Sequence, residues 1–474
     1  MAIDRMMKIL LVEDSGFVRM SEKKALNKLG FEHIIEAQDG EEAIQKLQEQ
    51  DDVQLIISDW IMPNVDGYAL LLWVRENEVY QDTPFIMATA LGEKKQASKA
   101  LEAGVTNFIT KPFDASELEV LIEKFFGAVE PPEPKPVHPR RTTTGKLVLN
   151  VAHIQITDHL SLGVLKHLIE TGDVVPTHFE LKTACKPSWN PAQEALERGE
   201  VDAAFVLAPI AMDLFRFGAP IRLVLSAQKN GSILVRKRED GAEDLAQYFR
   251  GKTVYIPHEL SVHHMLAHMF LSGIGLNPGF EGLGDFDTYF EVIPPIQMPE
   301  FLAANPNAGG FAVAEPLGAK AISEGIADRV FLSGQFWENH PCCVIAMREE
   351  IIEQEPDAVQ EFVNLLVEAG QFIEENPDIA ATVGVPFLDP DQTLGLRKNM
   401  LKSVLEETQG IKTNDMRPTL EDFDSIQRYM TDEMGIGSVI DLETFIDARF
   451  AEEACQDLPR QKSVLHDVSD IIHA

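Results

Sequence analysis

Apolar and polar positions along this chain follow two periods. Between residues 7 and 126, five short apolar runs recur: KILLV (8–12), HIIEA (33–37), VQLIISD (53–59), TPFIMATA (83–90) and TNFITKP (106–112). Between them, apolar residues return every three or four positions, as in GFVRMSEKKALNKLG (16–30) and DGEEAIQKLQEQ (39–50). The runs predict strands and the wider spacing predicts helices. Alternation of the two predicts an α/β unit whose five-stranded parallel sheet is covered on both faces.

A second alternating pattern starts at residue 146. Ten strand candidates follow: 146–153, 178–184, 202–209, 221–227, 231–237, 251–257, 289–295, 309–316, 329–334 and 342–348. Helical patterns such as 262–275 and 357–376 separate many of them, and the tail 389–474 reads as mainly helical and acidic. So many strands predict two α/β lobes with a cleft between them. Between the two patterns lies AVEPPEPKPVHPRRTTTG (128–145), with five prolines from Pro131 to Pro139. Such a stretch predicts an extended, semi-rigid linker. The expected organisation is therefore a domain over 1–127, a linker over 128–145 and a two-lobed domain over 146–474.

Composition narrows the partners. Lys plus Arg is 41 and Asp plus Glu is 76, a formal net charge of −35 over 474 residues. This charge disfavours broad adhesion to nucleic acid or anionic lipid. No run approaches the roughly 20 apolar residues of a membrane span, and none at the N-terminus reads as a secretory signal. A cytoplasmic protein with reduced thiols is expected. The adjacent Cys342 and Cys343 lack zinc-ligand spacing and read as strand residues. His264 and His268, four apart, read as surface or cap histidines.

Chemistry concentrates at strand ends. In a parallel sheet ligands sit beyond the carboxyl ends of the strands, where Glu13, Asp14, Asp59, Thr89 and Lys111 all fall. Three close carboxylates repel one another and invite a hard cation; Mg²⁺ suits them. Asp59 is then placed as a nucleophile for a phosphoryl group, with the Thr89 hydroxyl and the Lys111 ammonium suited to hold it.

The motifs LLVEDS (10–15), SDWIMPNVDG (58–67), ATA (88–90) and TKPF (110–113) carry a resemblance to the receiver domain of two-component response regulators over residues 7–126. The resemblance implies a flavodoxin-like fold. It implies Mg²⁺ held by Glu13, Asp14, Asp59 and the backbone carbonyl of Ile61, with Asp59 accepting phosphate from a histidine kinase or phosphotransfer protein. Lys111 would hold the phosphate, and Thr89 and Phe108 would form the switch pair.

Residues 146–388 resemble solute-binding proteins of the nitrate, sulfonate and taurine type, which include thiamine-pyrimidine-synthase-like proteins. The strings are ITDHLSLGVLKHL (156–168), KPSWNPAQEALERGEVDAAFVLAPIAM (186–212), LSAQKNG (225–231), PPIQMPEFL (294–302) and GGFAVAEPLGAKAISEG (309–325). The resemblance implies a two-lobed periplasmic-binding-protein-like domain of type II. Its helix starts near Thr157–Asp158 and after Trp189 would offer backbone N–H groups to an anion. Trp189 presents a flat face, His263 an imidazole, and Gln297 and Glu315 sit at strand ends facing the cleft. The PPIQMPEF stretch has no lysine where exported nitrate binders carry a cation, which leaves bicarbonate, a sulfonate or a heterocycle open beside nitrate.

The leading expectation is a signalling protein: a phosphorylated receiver coupled to a cytoplasmic sensor of a small anionic or heterocyclic solute. It would act through a protein partner such as an RNA-binding antiterminator, without binding DNA or membrane and without catalysis beyond the receiver's own phosphorylation. The alternatives are an enzyme related to thiamine-pyrimidine synthesis and a regulator acting indirectly on transcription.

Overall fold

The computed structural model describes residues 5–50, 52–77, 79–89, 100, 103–110, 118, 122, 140–239, 244–280 and 285–469; for Phe17, Ser21, Thr89, Phe108 and Thr110 the backbone alone is described. The chain forms two compact units, one over Met1–Glu133 and the other comprising Pro134–Gly279 and Asp285–Ala474. Most of the proline-rich linker lies outside the described residues.

The first unit carries β1 (Lys8–Val12), α1 (Gly16–Lys28), β2 (Ile34–Ala37), α2 (Gly40–Glu49), β3 (Val53–Asp59), α3 (Gly67–Glu76), β4 (Phe85–Thr89) and β5 (Asn107–Thr110). The strands form one parallel sheet in the order β2-β1-β3-β4-β5. Alternate residues of a strand point to opposite faces. Leu10, Val12, Ile56, Phe85 and Met87 pack with Ala43, Leu47, Leu70 and Val74 of α2 and α3 on one side. Ile9, Leu11, Leu55, Ile57 and Ile86 pack with Leu26 and Phe31 on the other. Burial on both faces explains why the strands read as continuous apolar runs. Helices α1, α2 and α3 each begin on a side-chain cap that satisfies an otherwise orphaned N–H: Ser15, Asp39 and Asp66.

All ten strand candidates of the second unit are present. One sheet runs β7 (Phe179–Cys185), β6 (Leu147–His153), β8 (Ala203–Leu207), β17 (Cys343–Arg348) and β9 (Ile221–Ser226). The other runs β12 (Pro278–Phe280), β13 (Thr288–Val292), β11 (Thr253–Ile256), β14 (Ala308–Ala314), β10 (Ser232–Lys237) and β15 (Ala327–Leu332). The chain passes from the first sheet to the second between β9 and β10, and returns between β15 and β17. The first strand after each passage lies antiparallel to its neighbours: β10 against β14 and β15, β17 against β8 and β9.

The two passages run side by side. The Ala227 N–H donates to Cys343 O at 2.9 Å and the Asn230 N–H to His340 O at 2.9 Å. Lys412 of the tail joins them, exchanging backbone hydrogen bonds of 2.8 and 2.9 Å with Lys229. Further along the tail, β18 (Val464–Leu465) pairs with β16 (Trp337–Glu338) on the return passage. The expectation of a mainly helical tail needs correction. Its helices are short, such as Lys398–Leu405, Leu420–Arg428 and Arg449–Ala454, because long intervening stretches lie across the passages.

Candidate functional site

In the first unit, Glu13 and Asp14 are the first residues after β1, and Asp59 is the last of β3. Because β1 and β3 are adjacent and parallel, with Val12 opposite Ser58, all three acids stand at the same end of the sheet. One oxygen from each lies within 4.8 Å of the others. Glu13 is buried while Asp14 and Asp59 are half-buried.

Backbone N–H groups fix the acids. Ser15 donates to Glu13 Oε1 at 3.1 Å and to Asp14 Oδ1 at 2.9 Å, and Trp60 donates to Asp59 Oδ1 at 2.7 Å. The Arg19 guanidinium donates to the Glu13 carbonyl. The turn after Asp59 is equally constrained. Asn64 adopts a left-handed φ of 62° and donates from Nδ2 to Asp39 Oδ2 at 2.7 Å. The Gly67 N–H reaches Trp60 O at 2.9 Å, and a Cβ at Gly67 would stand 2.0 Å from Asp59 O. The quoted turn therefore closes onto the backbone of the acid it presents, which only glycine permits. Three carboxylates converging at a partly open edge fit a hard divalent ion such as Mg²⁺.

The second unit holds a buried polar cluster. Asp158 lies in the short 3₁₀ turn Thr157–His159 beyond β6. His263 starts the helix Val262–Gly273 beyond β11 of the other sheet, and Cys342 lies on the return passage just before β17. Ligand atoms of the three lie within 4.8 Å of one another, and His263 Nε2 is 3.8 Å from Cys342 Sγ. Burial pushes the Asp158 carboxyl up to about 7, opposed in part by the nearby Cys343 and Cys342 thiols and Gln228. These neighbours approach it without reaching hydrogen-bond geometry, so both carboxylate oxygens are unpartnered. His263 Nδ1, Trp189 Nε1 and both amide atoms of Gln228 are likewise buried and unpartnered. Burial holds His263 down to about 3 and His340 to about 4, so both rings are neutral at pH 7.

The NMT1-like family matches residues 144–385. The chain belongs to the NMT1-like family. Its N-terminal part is a response regulator receiver domain, matched over residues 9–123. Over 121 residues the chain is 40% identical to a chemotaxis protein CheY homolog of Campylobacter jejuni subsp. jejuni (strain 81-176), covering 26% of this chain and 93% of that protein. Among solved structures, the ligand-binding component of an ABC-type import system from Staphylococcus aureus, with zinc bound, has a TM-score of 0.56 at 18% identity, covering 65% of this chain and 98% of that chain. The periplasmic nitrate-binding protein NrtA from Synechocystis PCC 6803 has a TM-score of 0.57 at 17% identity, covering 66% of this chain and 89% of that chain. These likenesses establish a two-lobed, periplasmic-binding-protein-like fold for the NMT1-like domain, beside a CheY-type receiver.

In the receiver domain, Thr89 and Phe108 are placed by backbone alone. Thr89 ends β4, whose Ala88 lies opposite Asp59, and Phe108 lies in β5 opposite Met87. Ile61 is half-buried in the turn after Trp60. Lys111 lies outside the described residues.

In the NMT1-like domain, two of the six expected cleft residues, Asp158 and His263, share the buried cluster. Thr157 is instead a brace: its N–H and Oγ1 both donate to the Glu315 carbonyl, at 2.9 and 2.7 Å. The Glu315 side chain turns back to accept from the Ala319 N–H at 2.9 Å, and it lines a groove of about 640 Å³ with Lys320, Arg329 and Arg397. Trp189 opens the helix Trp189–Glu197 and is 1% exposed, edge-on to His159 at 5.7 Å. Gln297 is half-buried in the turn Pro295–Gln297 after β13.

Two readings of histidine and cysteine are corrected. His264 is buried in the first turn of its helix, with Nδ1 2.9 Å from Glu259 O, so it is not a surface residue, while His268 is half-buried, with Nδ1 3.0 Å from the Tyr429 hydroxyl. Cys342 precedes β17 rather than lying within it, and its thiol faces Asp158 and His263. Gln228 and Cys342 were missed because Gln228 lies in a short polar stretch after β9 and Cys342 at the edge of an apolar strand; only the side-by-side passages bring them to the cluster.

Proposed function

We propose that this chain is a cytoplasmic two-component response regulator in which Asp59 is phosphorylated and the NMT1-like domain senses a small solute. The observation that carries the receiver half is the convergence of Glu13, Asp14 and Asp59 at the carboxyl end of β1 and β3. Asp59 attacks the phosphorus of a phosphohistidine on a kinase or phosphotransfer protein; the new O–P bond forms as the P–N bond breaks and the imidazole leaves. Glu13, Asp14, Asp59 and the Ile61 carbonyl would hold Mg²⁺, which would supply positive charge against the phosphoryl oxygens. The Trp60 N–H orients the Asp59 carboxylate, Lys111 pairs with the acquired phosphoryl group, and Thr89 and Phe108 respond to it.

The solute half is supported by unpartnered buried donors on the NMT1-like domain, Trp189 Nε1 and Gln228 Nε2, which suit acceptor atoms of a nitrate-like anion or a related small solute. The output passes through a protein partner such as an antiterminator, without direct contact to DNA and without catalysis beyond phosphoryl acceptance by Asp59. No helix among the described residues is long and apolar enough to cross a membrane, and kinase-dependent phosphorylation is cytoplasmic chemistry.

The test is mass spectrometry of the full chain after acetyl phosphate and Mg²⁺. One phosphoryl group per chain is expected, and none for Asp59→Asn; undiminished labelling of that variant would falsify the assignment. A thermal-shift screen with nitrate, bicarbonate, sulfonates and pyrimidines addresses the solute, since a ligand at 100 times its Kd stabilises by about 2.7 kcal/mol.

A further inference from the structure

We propose that Asp158, His263 and Cys342 form a binding site for a thiophilic divalent cation of the Zn²⁺ class, tying the two lobes of the NMT1-like domain together. The three come from different parts of the fold. Asp158 belongs to the lobe of β6, His263 to the lobe of β11, and Cys342 to the return passage between them. Their ligand atoms nevertheless lie within 4.8 Å of one another, and all three residues are at most 1% exposed.

What the protein itself offers these atoms is too little. Both Asp158 oxygens lack a hydrogen-bond partner, as does His263 Nδ1, although buried polar groups are nearly always paired. Among the described residues, no lysine or arginine forms an ion pair with the acid. The buried ammonium on the outward passage, Lys229, is paired with Asp415 at 3.1 Å instead. A divalent cation gives the Asp158 carboxylate a partner and compensates its charge: with one carboxylate, one thiolate and one neutral imidazole, the net charge of the buried assembly is zero.

The donor set also selects the ion. Mixed oxygen, nitrogen and sulfur ligands suit Zn²⁺ and Co²⁺, whereas Mg²⁺ prefers oxygen alone, as at Glu13, Asp14 and Asp59. Bonds of about 2.0–2.3 Å put tetrahedral ligand atoms roughly 3.3–3.7 Å apart. The observed spacing therefore needs a contraction on the order of 1 Å, within side-chain reach. Binding displaces the Cys342 thiol proton to solvent and leaves a fourth position for water. Because the ligands span both lobes, the ion stabilises the arrangement in which the lobes are together.

Cobalt titration of the reduced, chelator-stripped full chain tests this. The expected result is a thiolate-to-cobalt charge-transfer band in the near ultraviolet that saturates at one Co²⁺ per chain and is displaced by Zn²⁺. The Asp59→Asn variant should keep the band, since the receiver's oxygen ligands cannot give it. Cys342→Ser should lose it, Cys343→Ser should retain it, and His263→Ala should weaken Co²⁺ affinity on the order of 100-fold. If Cys342→Ser fails to fold, His263→Ala, which keeps both thiols, decides between unchanged and weakened affinity. Absence of the band in the wild type, its persistence in Cys342→Ser, its loss in Cys343→Ser alone, or unchanged affinity in His263→Ala would each overturn the site.

Discussion

Glu315 shows what burial does to one acid. Desolvation pushes its carboxyl from 4.5 up to about 7, even though the Ala319 and Gly318 N–H groups pull the other way. A raised folded pKa means that stability is complete below the unfolded value near 4.5 and falls as pH climbs through about 7. A rise of that size corresponds to about 3 kcal/mol. Glu315→Gln keeps the acceptor for Ala319 and removes the titration. It is expected to match the wild type at pH 5 and to exceed it by up to about 3 kcal/mol at pH 8.5, read by urea unfolding at the two values. If the variant gains nothing at high pH, Glu315 is ionised in the fold and the burial argument fails. Nothing in the string GGFAVAEP reveals this. A glutamate at a strand end looks the same whether it faces solvent or folds back onto the next helix, whereas Glu13, Asp14 and Asp59 were legible because their strands are neighbours in any parallel order that pairs β1 with β3.

At the level of elements, most strands were legible and the passages between the sheets were not. A strand buried on both faces carries its own signature, so all ten candidates in the second unit appear. The pieces β12, β16 and β18, of two or three residues, exist only through their partners and leave no period to read. The outward passage hides a further feature: Lys229 is fully buried, 3.1 Å from Asp415, which also meets Arg417 at 2.9 Å. Burial pushes the Asp415 carboxyl up, but the Gln461 N–H and Lys229 outweigh it and the net direction is down. Breaking a buried pair by removing one partner leaves the other charge stranded. Asp415→Asn is therefore expected to cost about 3–5 kcal/mol, and adding Lys229→Met to recover only the share of the stranded ammonium, since Arg417 still lacks the Asp415 carboxylate. Native-state hydrogen exchange of β8 and β17 reads the change; equal protection in the single variant and the wild type would show that the pair contributes nothing.

At the scale of the whole chain, a receiver and a solute-binding-like domain in one polypeptide make sense as signalling only if each state biases the other. Thermodynamics constrains how. If phosphorylation of Asp59 changes solute affinity by some factor, solute must change the equilibrium favouring the phosphorylated conformation by the same factor. Neither ligand shifts anything unless it binds the two conformations unequally. Couplings between sites typically amount to about 1–3 kcal/mol, or roughly 5- to 150-fold in affinity. The expected outcome is therefore a change of at least about 5-fold in solute Kd when the full chain is saturated with beryllofluoride and Mg²⁺, measured by calorimetry with whichever solute the thermal screen returns. The Asp59→Asn variant should show the unmodified affinity under both conditions. A matching change in beryllofluoride affinity on adding solute is required by linkage. Equal solute affinity with and without beryllofluoride would mean that the proline-rich stretch only tethers two independent modules, and that the second domain contributes location rather than sensing to the receiver.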